Sequence, residues 1–240
     1  MTADQVMSNG WNRLLAALQP SDFALLSPHL ADFHFKQEVV LQEAGDLIEH
    51  VYFPETGMIS VLAAMRDGNA IETATIGREG AVGSMAGLGS RHASGRAVVQ
   101  VAGQTSQIPV APFRAAVAES DGIRNLIVRY NDTQMALIQQ SAGCNALHAV
   151  EKRLCRWLLQ TRDRSDSNML SLTQEFLSEM MGVQRTSVTM IARQLQAEGL
   201  IQYRRGRVEI TDREGLEKRA CECYEVTRRK NEDVFLPLEI

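Results

Sequence analysis

Arg185, Thr186, Ser187, Thr189, Met190 and Arg193 recur on one face of a helical stretch, and their types suit the edges of base pairs. A guanidinium fork matches the O6 and N7 acceptors of guanine in bidentate fashion, worth about 1–3 kcal/mol of discrimination against a wrong base. Thr186 offers a methyl to thymine. A little further on, Arg204, Arg205 and Arg207 surround Gly206. Arginines at such a turn suit phosphate oxygens, contacts that position a protein without reading sequence and that weaken as salt rises. The chemistry implied is recognition of duplex DNA, and Thr173, which opens the preceding helix, is counted with the DNA-facing residues.

Side chains that read bases must be held on a rigid element, and Leu172–Ile210 supplies one. Ser171 or Thr173 can cap a first helix, with Gln174 placed to close a capping box on Ser171. Phe176 and Met180 share a face and Gly182 interrupts the pattern where a turn is needed. Val188, Ile191 and Leu195 then form the apolar stripe of a second helix. Arg185 falls near that helix's N-terminus, the end that enters a major groove, although Gln184 before it is a poor N-cap. Glu198–Ile201 reads as a helix stop and a strand, and Tyr203–Arg207 as the turn of a hairpin ahead of Val208 and Ile210. Two helices, a tight turn and a basic hairpin make a winged helix-turn-helix.

A content of 45% hydrophobic and 22% charged residues over 240 positions is that of a globular chain long enough for two domains. No run approaches the roughly 18 apolar residues that cross a bilayer, and the N-terminus has neither a basic start nor an apolar core, so a cytoplasmic protein without a membrane partner is expected. The net charge of −4 is unevenly placed. Residues 1–149 hold 9 basic and 14 acidic side chains, residues 150–240 hold 16 and 15, and between 184 and 207 five arginines face one acid, Glu198. Local sign decides which face meets a polyanion.

Other chemistries find little support. There is no Gly-x-Ser-x-Gly elbow, no metal-spaced His/Glu pair and no phosphate loop with lysine, so no enzyme is expected. Cys144, Cys155, Cys221 and Cys223 read as reduced thiols in a cytoplasmic chain. Cys221-x-Cys223 has no second pair or histidine beside it in sequence, and no metal site is expected.

Ahead of the module, residues 10–31 suggest short helices, with Trp11, Leu14, Leu15 and Leu18 as one stripe. From Phe33 to Pro109 come short runs rich in Val, Ile and Thr divided by Gly, Asp and Asn, the pattern of a small barrel or jelly roll. Phe113–Gly143 reads as one long helix with Gly122 as its main breaker. On it Ile123, Ile127, Tyr130, Leu137 and Ser141 form a stripe expected to pair two subunits. Asn145–Arg162 should be a further helix that buries Leu147, Leu154, Trp157 and Leu158, and Asp212–Lys230 an added helix beyond the wing.

The runs VYFPETGMISV, TIGREGAVG, LHAVEKRLCRWLL and GVQRTSVTMIARQLQAEGLI, in this order, resemble the Crp/Fnr superfamily of bacterial transcription regulators over nearly the whole chain. The resemblance implies an α+β protein with three parts: an N-terminal β jelly-roll sensor domain over residues 1–118, a long dimerisation helix over 119–144, and a C-terminal winged helix-turn-helix domain with an extension over 145–240. It also implies a homodimer on a pseudo-palindromic duplex, contact with RNA polymerase, and an effector at the jelly roll. Cyclic-nucleotide-binding members carry a Gly-Glu pair followed by an arginine beside Ser or Thr. Here the matching region is Gly77–Gly83 and then Gly95-Arg96-Ala97, so Arg78, Glu79 and Arg96 are the candidates for a polar effector site, and the effector is left unidentified. The N-terminal cysteines that hold iron–sulfur clusters in relatives are missing, and His29, His34, His50, His92 and His148 form no haem pattern. Thr186 stands where relatives carry Glu, and Met190 where a second arginine is common. The alternative reading is a small-molecule sensor that regulates a protein partner without touching DNA.

Overall fold

The computed structural model describes residues 12–66, 70–165 and 167–236. Trp11, residues 67–69, Asp166 and residues 237–240 lie outside the described residues. Two short helices, α1 (Arg13–Ala16) and α2 (Pro20–Leu26), lead into strands β1 (Ala31–Phe35), β2 (Val40–Gln42), β3 (His50–Pro54), β4 (Met58–Ala64), β5 (Ala70–Ile76), β6 (Arg96–Val101) and β7 (Gly103–Pro109). These strands form two antiparallel sheets, ordered β1-β7-β3 and β2-β6-β4-β5, the two-sheet architecture of a jelly roll. Asn12 pins the entry. Its side-chain oxygen caps α1 at Leu14 and Leu15, while Nδ2 donates to the carbonyls of Pro54 and Gly80.

Alternation decides what each strand faces. Ile59, Ile76, Val82, Ala97 and Val99 meet Phe35 between the sheets. The opposite face of β4 is buried as well, because Met58 and Leu62 pack into the core of the C-terminal domain. The core of the C-terminal domain therefore extends onto the four-stranded sheet.

Helices α3 (Val110–Glu119) and α4 (Asp121–Leu147) replace the single expected helix. The break falls at Ser120 rather than Gly122: the Ser120 hydroxyl accepts from the Ile123 N–H at 3.0 Å and donates to Asp22 at 2.7 Å, and the new helix starts from that cap. The apolar stripe of α4 also has a different partner from the one expected. Ile123, Ile127, Tyr130 and Leu137 are buried within their own chain, with the first three in the core beside Phe53 and Phe113, so they are not free to meet a second subunit. Tyr130 donates to the Ala81 carbonyl at 2.9 Å, and only Ser141 of the five remains partly exposed. Each large side chain so buried contributes about 1.5–3 kcal/mol.

The C-terminal part runs α5 (Val150–Ser165), β8 (Met169–Ser171), α6 (Gln174–Met181), α7 (Arg185–Ala197), β9 (Ile201–Arg204), β10 (Arg207–Ile210), α8 (Arg213–Arg219) and α9 (Cys223–Asp233). Leu154, Trp157 and Leu158 of α5 are buried as expected, but Leu147 ends α4 and is 83% exposed. The added helix beyond the wing is two, broken at Ala220–Glu222. Two buried polar links cross from α5 to the sensor: Trp157 Nε1 donates to Glu72 at 3.0 Å, and Arg164 grips Glu79 at 2.6 Å. Among the described residues no helix is long and apolar enough to cross a membrane.

Candidate nucleic-acid interface and sensor cavity

The first helix of the module, α6, starts at Thr173, whose hydroxyl accepts from the Phe176 N–H at 3.1 Å. Ser171 does not cap it, because Ser171 is already in β8, paired with Arg207 across the sheet. Gln174 closes no capping box either. Its side-chain oxygen accepts from the Thr189 hydroxyl at 2.7 Å and so ties the two helices together. Gly182 ends α6 in the left-handed region, φ 61°, where a side chain would be strained, and its N–H returns to the last turn of the helix. The buried guanidinium of Arg153 donates to the Met181 carbonyl at 2.6 Å and seats this turn on α5.

Helix α7 buries Val188, Ile191, Ala192 and Leu195, which turns its other face outward. Arg185, Thr186, Met190 and Arg193 are exposed there, Met190 to 67%; Ser187 and Thr189 are half-buried. Gln184 makes no side-chain cap, as its type implies. Thr189 has one hydroxyl hydrogen, with Gln174 Oε1 and the Arg185 carbonyl both in reach, so its donor is engaged inside the module. That leaves its methyl and lone pairs for a base.

The wing is a two-residue hairpin. Arg204 pairs with Arg207, and the connecting Arg205 and Gly206 have φ of 49° and 75°, the two positive values a type I′ turn requires. Tyr203 fixes the wing to the helices: its hydroxyl donates to the Leu172 carbonyl at 3.0 Å and its N–H to Gln196 at 2.8 Å. Arg204, Arg205 and Arg207 are exposed. Among the described residues none of these three, nor Arg185 or Arg193, is held in an ion pair. Glu198, the one acid of the stretch, is engaged by Arg219 at 2.6 Å. The positive face is thus unopposed, which sequence counting alone does not reveal.

Of the effector candidates, Arg78 and Glu79 share one cleft and Arg96 stands apart from them. A cavity of about 320 Å³ lies between the four-stranded sheet and α4, walled by Val61, Ile76, Val82, Met135 and Ile138, with Ser84, His92, Asn131 and Gln134 among its polar groups. Among the described residues no arginine, lysine or carboxylate lines it. Glu79 instead accepts from Arg164, Arg96 pairs with Glu43 at 3.4 Å, and Arg78 with Glu79 borders a separate, strongly polar cleft beside Arg13, Arg164 and Arg213. Ala97, at the place of the cassette hydroxyl, is fully buried in the sheet core.

The structure also joins residues that spacing left apart. Cys144 and His148, at the end of α4, meet Cys221 and Cys223, and their four donor atoms lie within 4.8 Å of one another. Cys221-x-Cys223 has no second pair or histidine beside it in sequence, and the fold brings Cys144 and His148 next to it from far along the chain.

A two-sheet β domain followed by a winged helix-turn-helix with an unopposed basic face defines a class of DNA-binding transcription regulators. Residues 32–120 match the cyclic nucleotide-binding domain family, and residues 152–219 match the Crp-like helix-turn-helix domain family. With both domains in this order, the chain belongs to the Crp/Fnr superfamily of transcription regulators. Solved structures share the fold. A crp/fnr-family transcriptional regulator from Eubacterium rectale is 18% identical at a TM-score of 0.68, covering 86% of this chain and 96% of its own. FixK2 from Bradyrhizobium japonicum is 12% identical at 0.65, covering 80% and 98%. The c-di-GMP-responsive regulator CLP of Xanthomonas campestris is 18% identical at 0.63, covering 80% and 99%. No curated protein matches the chain by sequence.

Proposed function

We propose that this regulator is a cytoplasmic homodimer that reads a pseudo-palindromic duplex, with Arg185, Thr186, Met190 and Arg193 at base edges and Arg204, Arg205 and Arg207 on phosphate. The observation that carries this reading is the unopposed arginine face of α7 and the wing. Thr173 and Ser187 flank that face and serve as backbone contacts. A bound dimer acts on transcription through contact with RNA polymerase.

The subunits pair along the outer side of α4. Val128, Asp132, Met135, Gln139, Ala142 and Ala146 are all exposed and follow each other at alternating spacings of four and three, the seam of a two-helix coiled coil. Met135 and Ile138 lie on both this side and the cavity wall. A small ligand without a phosphate, bound between sheet and helix, shifts the dimer only by favouring one helix arrangement. A differential of about 1–3 kcal/mol is the usual scale of such coupling.

Titration of labelled duplex with the purified protein at several salt concentrations tests the phosphate half of the reading. Affinity falls linearly on a log–log plot, and replacing one wing arginine lowers that slope by about one. A slope near zero refutes it.

A further inference from the structure

The geometry points to a tetrahedral Cys3His metal site, formed by Cys144, His148, Cys221 and Cys223, that takes one zinc-like divalent ion and clips the C-terminal extension to the end of α4. The cysteines are almost fully buried, form a cluster of their own and are not in disulfides. Sγ of Cys144 is 3.6 Å from Sγ of Cys221, and Sγ of Cys223 is 3.5 Å from Nδ1 of His148. A zinc ion with Zn–S of about 2.3 Å and Zn–N of about 2.0–2.1 Å at tetrahedral angles sets its ligand atoms about 3.4–3.8 Å apart. Two opposite edges of the tetrahedron are therefore already at their bound length. The ligands of an iron–sulfur cluster sit on separate irons and stand farther apart than this.

The surroundings fit a metal as well. Nε2 of His148 is 3.1 Å from Glu222 Oε1, so the ring hydrogen sits on Nε2 and the Nδ1 lone pair faces the thiols, the carboxylate–histidine arrangement that orients a ligand ring. Gln140 Nε2 donates to Cys223 Sγ at 3.0 Å, which suits a thiolate. Three thiolates and a divalent ion leave one negative charge. The buried guanidiniums of Arg153 and Arg156, neither held in an ion pair among the described residues, act electrostatically on Cys144 and Cys221 and balance it. A soft, sulfur-rich tetrahedral set selects zinc over oxygen-seeking cations. Cys144 and Cys221 are 77 positions apart. The ion would close a loop that contains the entire winged module and fix it against the long helix.

The test is titration of the reduced, metal-free full chain with Co2+, which reports thiolate ligation and tetrahedral geometry by its absorption and is displaced by Zn2+. One ion per chain, with thiolate-to-cobalt charge transfer, a tetrahedral ligand-field spectrum and a rise in Tm, is the expected result. Cys221→Ser and His148→Ala should lose this spectrum. Glu222→Gln, on the surface and outside the ligand set, should keep it with affinity about ten- to a hundredfold weaker. X-ray absorption on the zinc-loaded wild type, which needs no variant to fold, should give three sulfurs and one nitrogen. Three outcomes overturn the proposal: Co2+ left in its octahedral aqueous form by a folded, reduced wild type; a spectrum unchanged in Cys221→Ser and His148→Ala; or thiols recovered only as a Cys144–Cys221 disulfide with no metal uptake after reduction.

Discussion

Arg185 opens α7 and Arg205 tips the wing, and the same guanidinium serves opposite ends at the two places. Arg185→Ala should relax sequence preference at one position of each half-site, a loss of about 1–3 kcal/mol confined to guanine-bearing sites. Arg205→Asn keeps the left-handed backbone the turn needs and should weaken all duplexes alike. Competition binding on matched and scrambled duplexes separates the two, and equal losses from both variants on every sequence would sink the division of labour. Glu72 makes a different kind of prediction. Burial pushes its carboxyl above the usual range, against the lowering effect of Ser60, Arg156, Trp157 and Arg164. The folded chain therefore holds this proton more tightly than the unfolded one. The stability so contributed is complete below the unfolded value of about 4.3 and is lost as pH rises through the folded value. Glu72→Gln, which can still accept from Trp157, should gain stability relative to wild type as pH rises above the unfolded carboxyl value of about 4.3 in urea unfolding; a difference that does not change with pH contradicts it.

The elements show where sequence periodicity informs and where it stops. The stripe Val188, Ile191 and Leu195 and the basic hairpin were legible because a buried helix face and a two-residue turn are local patterns. Periodicity marked the buried face of α4 as well, but it says nothing of what covers a face. Ile123, Ile127, Tyr130 and Leu137 turned toward their own domain, leaving the less apolar Val128–Ala146 side outward. Ser171 and Thr173 were equal as caps until strand pairing took Ser171. The Cys3His cluster was invisible because its halves meet only after the extension folds back. Glu79 was read toward a ligand and faces Arg164 instead, in an ion pair whose side chains are 9% and 7% exposed. Removing one partner of such a pair costs about 3–5 kcal/mol, since the other charge stays buried alone. Glu79→Gln should lose that much in urea unfolding, and a change within about 0.5 kcal/mol, the range of an ordinary surface substitution, contradicts the assignment.

At the scale of the whole molecule, the N-terminal sheet and the helix-turn-helix module share one core through Met58, Leu62 and Trp157. The proposed dimer places two reading heads on one duplex, and Met135→Glu should put a charge on its seam, shift sedimentation to the monomer and lower duplex affinity steeply; an intact dimer would contradict the proposed seam. The order of domains was legible in the sequence, while the apolar sensor cavity was not, because it is assembled from strands, loops and helix distant along the chain. The central claim is that the outward face of α7 reads DNA sequence as a symmetric pair. In vitro selection from random duplex by the purified protein, with Arg185→Ala beside it, measures this most directly. The expected result is a two-fold symmetric motif with a guanine preference in each half that the variant loses. A bound pool without symmetry or sequence preference, in a protein that still binds duplex, would contradict it.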